Sequence, residues 1–474
     1  MKTRSLLCVV GTALSAAGVP ALGQATPLAI TNARILVMPG DASQGGGIGE
    51  IERGTLIVKD GKIQAVGKDV PVPAGATVID AAGKVVMPGL VDTHSHVGGI
   101  GGADGSGPIQ PEVRVYDSLN IRDSGYRRVV AGGITTLNVM PGSGHLLSGQ
   151  TVYLKLRTGA TKVDDWFYKD ADGRPAGGMK MANGTNSIRE SPFPGTRGKS
   201  ASLVREQFVK AQEYAAKAER ASKAGKDGKP DPEKMPERNL ALEGLNEVIG
   251  GKKIVQHHTH RADDILTVLR IADEFKTRIV LHHVSEAWKV ANEIAAADTG
   301  WGKKGIKGTP CSVIVIDTPG GKLEAAEASW ETGAMLEKAG VTVVFHTDDW
   351  ITDSRLFNRS AALAHRAGMS RAGALRALTI NGAKLLDLET KVGSLEVGKD
   401  ADFIILSGDP LSVYTKVEQT FVEGVKVFDR ADPKDRLFAV GGFGAGNDQS
   451  PYLCCAGGSV FSFGGREWSS GGDE

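Results

Sequence analysis

Val91-Asp92-Thr93-His94-Ser95-His96 closes an apolar run, Lys84-Val-Val-Met-Pro-Gly-Leu-Val91, and its reading decides the fold. Side chains alternate in direction along a strand, so histidines one residue apart put two imidazoles on one face of a strand end. Neutral imidazole binds divalent metals readily, and such a pair supplies half of a zinc-type coordination set without unusual backbone. Sites of this kind collect at the carboxyl ends of barrel strands, where residues distant in sequence converge.

Working outward, the chain alternates strand, polar loop and amphipathic helix. Lys253-Ile-Val-Gln-His-His258 reads as a strand, followed by a helix with Ile265, Val268, Leu269, Ala272 and Phe275 at helical spacing. Arg278-Ile-Val-Leu-His-His283 starts the next unit, with a helix expected over 286–297. Val341-Thr-Val-Val-Phe-His-Thr-Asp348 reads as a further strand, and 374–386 as one helix. This rhythm predicts an α/β fold, a parallel (β/α)8 barrel of the TIM type over residues 87–389. Toward both ends it gives way to short β-type runs, Ala29–Val37, Gly54–Lys59, Lys62–Val66 and Ala76–Ile79, and again Gly393–Leu406 and Val417–Phe428. Asp60-Gly61 between two such runs is a hairpin signal. Residues 27–86 and 390–440 are therefore expected to pair into one small β-sandwich domain.

Three stretches depart from this pattern. Gly98–Pro111 is a glycine-rich loop placed to cover the paired histidines, and 201–237 opens as a charged helix and ends as a solvated excursion. The tail, 441–474, is rich in Gly and Ser, with Tyr452, Phe461, Phe463 and Trp468 available for docking.

With 56 basic against 55 acidic residues among 474, the chain offers no electrostatic reason to bind nucleic acid or an acidic membrane surface. A small molecule or short peptide fits better as partner, and assembly into a homo-oligomer is left open. Lys2 and Arg4, the apolar stretch Leu6–Val19 and Ala21-Leu22-Gly23 predict a signal peptide over residues 1–23, hence an exported protein, periplasmic or extracellular. That stretch is shorter than the roughly 20 residues a spanning helix needs, and Gly11, Gly18 and Pro20 interrupt or bound it, so stable membrane insertion is not expected. Four cysteines do not make a disulfide scaffold. The neighbours Cys454 and Cys455 would close a strained ring, so Cys311 or another chain is the better partner for either.

Four strand ends thus present metal-ligand chemistry: His94 with His96, the group His257, His258 and His260, the pair His282 and His283, and Asp348. An aspartate at a strand end can ligate a metal and take a proton from water, while Asp349 is better suited to cap the helix after the strand. His145, in the glycine-rich Pro141-Gly-Ser-Gly-His-Leu-Leu-Ser-Gly-Gln150 loop, is a candidate substrate contact. So are His260 and Arg261, the latter as a clamp for a carboxylate.

Met87-Pro-Gly-Leu-Val-Asp-Thr-His-Ser-His96, Ala131-Gly-Gly-Ile-Thr-Thr136, His258-Thr-His-Arg-Ala-Asp-Asp-Ile265, His346-Thr-Asp348, and Ala377–Lys384 leading into Val392–Asp402 together resemble the amidohydrolase superfamily. The nearest branch is that of imidazolonepropionase and the Xaa-Pro and Xaa-Arg dipeptidases, and the similarity runs over about residues 28–440. The resemblance implies that His94 and His96 bind one metal, completed by Asp348, and that histidines ending the fifth and sixth strands bind a second. The family's His-Ala-His-Arg pattern selects His258, and its acidic-His-Gly-Thr pattern selects His283. Here histidine stands where an acid is common and Val284 where glycine is common. Dinuclear relatives use a carbamylated lysine as bridge, for which the best match is Lys180 in Gly178-Met-Lys-Met-Ala182.

The expected cofactor is one or two divalent ions, zinc by donor chemistry. The resulting expectation is an enzyme, an exported metal-dependent amidohydrolase cleaving the C–N bond of a dipeptide, N-acyl amino acid or cyclic amide. Metal-activated water attacks a polarised carbonyl, with Asp348 as catalytic base and then as proton donor to the leaving nitrogen. The alternatives are a lactone, ring-amidine or organophosphate hydrolase on the same scaffold, or a non-catalytic metal-binding barrel.

Overall fold

The computed structural model describes residues 26–40, 47–100, 104–223, 225, 229–315, 322–349, 351–442 and 444–445. The expected signal peptide, Cys8, Cys454, Cys455 and nearly all of the tail lie outside these residues. Among the described residues no helix is long and apolar enough to cross a membrane.

The chain begins with β1 (Leu28–Leu36), β2 (Glu50–Lys59), β3 (Lys62–Gly67), β4 (Thr77–Asp80) and β5 (Val85–Pro88). It continues into the barrel with β6 (Leu90–Ser95), β7 (Ile134–Val139), β8 (Leu147–Gln150), β9 (Val152–Lys155), β10 (Met179–Ala182), β11 (Val255–Thr259), β12 (Ile279–His283), β13 (Cys311–Val313) and β14 (Val343–Phe345). It returns with β15 (Phe403–Leu406), β16 (Val417–Val422) and β17 (Val425–Asp429).

Strands from both ends of the chain form one eight-stranded sheet in the order β17-β16-β15-β5-β1-β2-β3, with β4 beside β1. Its wings share a core of Ile30, Leu56, Ile63, Val86, Phe403 and Phe421, so the sheet folds over itself as a sandwich does. Asp60 and Gly61 both have positive φ in the β2–β3 turn, the geometry a two-residue hairpin needs. β5 passes into β6 through Gly89, where an added Cβ would lie 2.3 Å from Thr135 Oγ1, so no side chain fits at this junction.

The barrel staves are buried on both faces, as strands covered by helices outside and packed side chains inside must be. β6 pairs with β7, and β10 through β14 pair in sequence, all parallel. The third stave departs from the expected parallel pattern. β8 pairs antiparallel with β10 and β9 antiparallel with β7, so one strand bent at Thr151 runs against the rest. The bend is crowded: an added Cβ on Gly177 would lie 1.9 Å from the Thr151 carbonyl oxygen. The barrel closes between β14 and β6, where the Asp348 amide donates to the His94 carbonyl at 3.0 Å.

Two expected helices are interrupted. The stretch 286–297 splits into a turn at Ala287–Lys289 and a helix at Ala291–Ala296, with Glu286 capping the neighbouring helix Ala262–Phe275 through its bond from the Ala262 amide at 3.0 Å. The stretch 374–386 breaks between Arg371–Ala377 and Ile380–Leu385, because the Leu378 carbonyl leaves the helical ladder to accept the Val91 amide of β6 at 2.9 Å.

Candidate metal centre

Asp92 ties the two strands that close the barrel. Its Oδ1 accepts the backbone amides of His94 and Thr347, each at 3.1 Å, and its Oδ2 accepts the Thr347 hydroxyl at 2.5 Å. Burial raises its pKa to about 7, against the pull of those three bonds. By holding these backbones together, Asp92 sets the spacing between His94, His96 and Asp348.

His94 and His96 project their Nε2 atoms to within 3.2 Å of each other. Asp348 Oδ1 lies 3.0 Å from His96 Nε2 and 3.5 Å from His94 Nε2. Lys180, on β10, reaches the same point, its Nζ 3.0 Å from His94 Nε2. His346 Nε2 faces His283 Nδ1 at 3.1 Å, and the His94 and His346 rings stack at 4.9 Å. All these side chains are buried.

Two alternations sort the histidines. His257 points away from the interior, among Phe208, Val268 and Ile271 beneath the helices, whereas His258 points in. His282 and His283 both face inward although adjacent, because the chain turns left-handed at His283 (φ 69°) and Val284 (φ 47°). A β-branched residue in that region costs on the order of 1–3 kcal/mol. This explains why glycine suits position 284 and marks the turn as one held by its surroundings, including the Val284 amide bonded to the Thr259 carbonyl at 2.9 Å. Asp348 is also left-handed, at φ 48°.

Burial, aided by the Lys180 charge at His94, the Lys322 charge at His258 and His260, and neighbouring rings at His282 and His283, holds these five well below the ordinary imidazole pKa, and burial holds His346 at about 3. For Asp348 burial acts upward, yet the His96 hydrogen bond and the charges of His96, His346 and Lys180 hold it below the ordinary carboxylate range. The centre is therefore a set of imidazoles, those six held neutral, around one carboxylate, with Lys180 Nζ beside it. Nitrogen lone pairs converge on one another, and His283 Nε2 and His260 Nε2 are buried without a hydrogen-bond partner. The donor set fits a divalent, zinc-type ion.

Two trios of donors that share Asp348 could hold such an ion, His94, His96 and Asp348, and His283, His346 and Asp348, while a third grouping, His94, His282 and His346, stands behind His94 on its Nδ1 side. A further trio, His258, His260 and Glu324, lies beside them. Lys322 Nζ sits there, 2.9 Å from Glu324 Oε1 and 3.2 Å from His258 Nε2. Asn186 Nδ2 donates toward His258 Nε2 at 3.3 Å and to Ser143 Oγ at 2.9 Å. His258 thus groups with His260 and Glu324, and His283 with His346 and Asp348, rather than the two sharing one trio.

His145 packs edge-on against Phe193 at 5.1 Å, and burial lowers its pKa to about 4. It stands on the loop that carries Ser143, one step removed from the imidazoles. Arg261 does not join the centre. It is substantially exposed and pairs with Asp263 at 3.0 Å, because it stands at the start of the helix Ala262–Phe275 with that acid in the first turn. Lys322 reaches the histidines from this side, as Lys180 does beside His94.

His346 was legible by the same alternation that pairs His94 with His96, since it stands two residues before Asp348. Lys322 and Glu324 follow a strand end with no periodicity to announce them.

A barrel with imidazoles and an aspartate converging at its strand ends defines the class of metal-dependent hydrolases. The chain belongs to the amidohydrolase family. The amidohydrolase family model matches residues 245–427. The crystal structure of an amidohydrolase from Thermotoga maritima MSB8 superimposes with a TM-score of 0.74 at 33% identity, covering 85% of this chain and all of that one. A 5'-deoxyadenosine deaminase from Methanosarcina mazei is 28% identical over 399 residues, 80% of this chain and 83% of that protein. Amidohydrolase tasK from Hapsidospora irregularis is 26% identical over 408 residues, 79% of this chain but 40% of tasK's own length.

Proposed function

We propose that this chain hydrolyses the C–N bond of a small amide bearing a carboxylate, a dipeptide or N-acyl amino acid before a cyclic amide. The observation that carries the reading is Asp348, ionised, buried, and set between His96 and His283 with Oδ2 3.7 Å from His283 Nδ1. A divalent ion held by His94, His96 and Asp348, zinc by their chemistry, would acidify water and polarise the carbonyl. Asp348 takes the proton of the attacking water and passes it to the leaving nitrogen. A bridging carbamate on Lys180 is part of the same reading, supported by its Nζ 3.0 Å from His94 Nε2. Lys322, anchored by the buried Glu324, has a remaining N–H to offer a substrate carboxylate, with Asn186 beside it. His145, buried against Phe193, stays in this reading as a substrate contact.

A screen of zinc-loaded protein against dipeptides, N-acyl amino acids, hydantoins and lactones tests the class, and turnover of lactones alone refutes it. Lys322→Met is expected to raise KM for carboxylated substrates by about 10–100-fold, the loss of one charged hydrogen bond of about 1.5–3 kcal/mol. A second reading, hydrolysis of a ring amidine with release of ammonia, is supported by the likeness to 5'-deoxyadenosine deaminase, and the same screen with adenosine-type substrates separates the two. Export belongs to the first reading. N-terminal sequencing of protein from its native host is expected to begin near Gln24.

A further inference from the structure

We infer that His282, which stands where family members commonly carry an acid, is a positioning residue that fixes the proton on His94 through a relay from His94 to His282 to Gln256. The inference rests on the reading of His94 Nε2 as a metal ligand and extends it to the residues behind the ligand. His94 Nδ1 lies 3.2 Å from His282 Nδ1, and His282 Nε2 lies 2.7 Å from Gln256 Oε1. All three side chains are fully buried.

A carbonyl oxygen only accepts, so His282 donates from Nε2 to Gln256. A neutral imidazole carries a single N–H, which leaves His282 Nδ1 bare. His94 must then donate from Nδ1, and its own Nε2 is left as a lone pair. That Nε2 is the atom facing His96 Nε2, Lys180 Nζ and Asp348 Oδ1. His96 reaches the same state by a shorter route, its Nδ1 donating to the Met140 backbone carbonyl at 2.7 Å. The two ligands are thus aimed by different means: His96 by the main chain of β7's end, His94 by two side chains from β12 and β11. The β11–β12 register sets His258 opposite His282, which brings Gln256, two residues back on the same face, within reach of the His282 ring.

The test uses the full chain with ¹⁵N-labelled histidine, with and without zinc. In the metal-free protein the ring-nitrogen shifts are expected to show His94 protonated on Nδ1 and His282 on Nε2. In His282→Asn the amide oxygen occupies the place of Nδ1 and still accepts from His94, so zinc affinity, read by competition with a chromophoric chelator, is expected to stay within about threefold. His282→Leu removes the acceptor and is expected to weaken zinc binding by about 10–100-fold, the range typical of lost outer partners of metal ligands. Gln256→Leu frees the His282 proton and is expected to give a mixture of His94 tautomers, and with His282→Asn it carries the test should the leucine at 282 fail to fold. His94 protonated on Nε2, or equal zinc affinity in His282→Leu and wild type, would overturn the relay. A wild-type protein with the expected tautomers that takes up no zinc supports the relay and refutes the metal reading instead.

Discussion

Two buried polar clusters lie at opposite ends of the barrel, and they balance their charge in opposite ways. Lys155, at the end of β9 level with Thr136 near the start of β7, has no exposed surface. It pairs with Asp400, with Asp402 at 3.1 Å and with Glu423 at 3.4 Å, its ammonium 5.3 Å from the Tyr168 ring. Burial acts to lower its pKa, but Tyr168 and the three acids raise it on balance. At the other end, seven inward-facing imidazoles surround Asp348, and the pKa of each one for which a shift is resolved lies below its ordinary value. The first cluster carries its own cation and locks the β-sandwich to the barrel. The second keeps lone pairs facing one another, an arrangement suited to receiving a cation. A buried polar cluster whose cation meets carboxylates directly serves the fold, and one whose imidazole lone pairs face one another is suited to chemistry.

The comparison breaks most visibly at Asp348. Asp348→Asn is expected to reduce kcat by about 10²–10⁴-fold, the worth of a positioned base, while circular dichroism and the melting temperature stay near wild type. Lys155→Met should do the reverse. Removing the cation strands buried carboxylates and is expected to cost about 3–5 kcal/mol in urea unfolding, with activity per folded molecule unchanged. Zinc titration sharpens the contrast: ion at about a hundred times its Kd should stabilise wild type by about 2.7 kcal/mol, and Lys155→Met by the same amount, because the site there is intact. The smallest effect concerns His145, buried against Phe193. Its folded pKa of about 4 lies below the unfolded value, so the unfolded chain binds the extra proton and stability falls as pH drops below about 6.5. Urea midpoints between pH 7 and 5 should show His145→Gln flattening that slope by on the order of 1 kcal/mol per pH unit.

The alternation of His94 with His96, and the apolar runs that end in His258, His283 and Asp348, were sufficient in the sequence to establish a barrel with a site at its strand ends. Strand period is a local property, and it names the residues that share a face. Neighbouring choices depended on more: His282 faces inward beside His283 only because the backbone turns left-handed at 283 and 284. The antiparallel third stave and the helix broken at Leu378 came from competition for backbone hydrogen bonds, which no window of sequence contains. Arg261, expected as a carboxylate clamp, settles on Asp263 instead, and Lys322, which the sequence did not single out, settles on Glu324 beside the histidines, since a long cation pairs with the nearest acid. The sequence by itself determined the fold class and which residues end the staves with imidazole and carboxylate groups, because these come from periodicity and residue chemistry. Only the tertiary structure decided which donors stand together, which ring nitrogens face which partners and which cations lie beside the histidines, because each depends on distances between segments far apart in the chain.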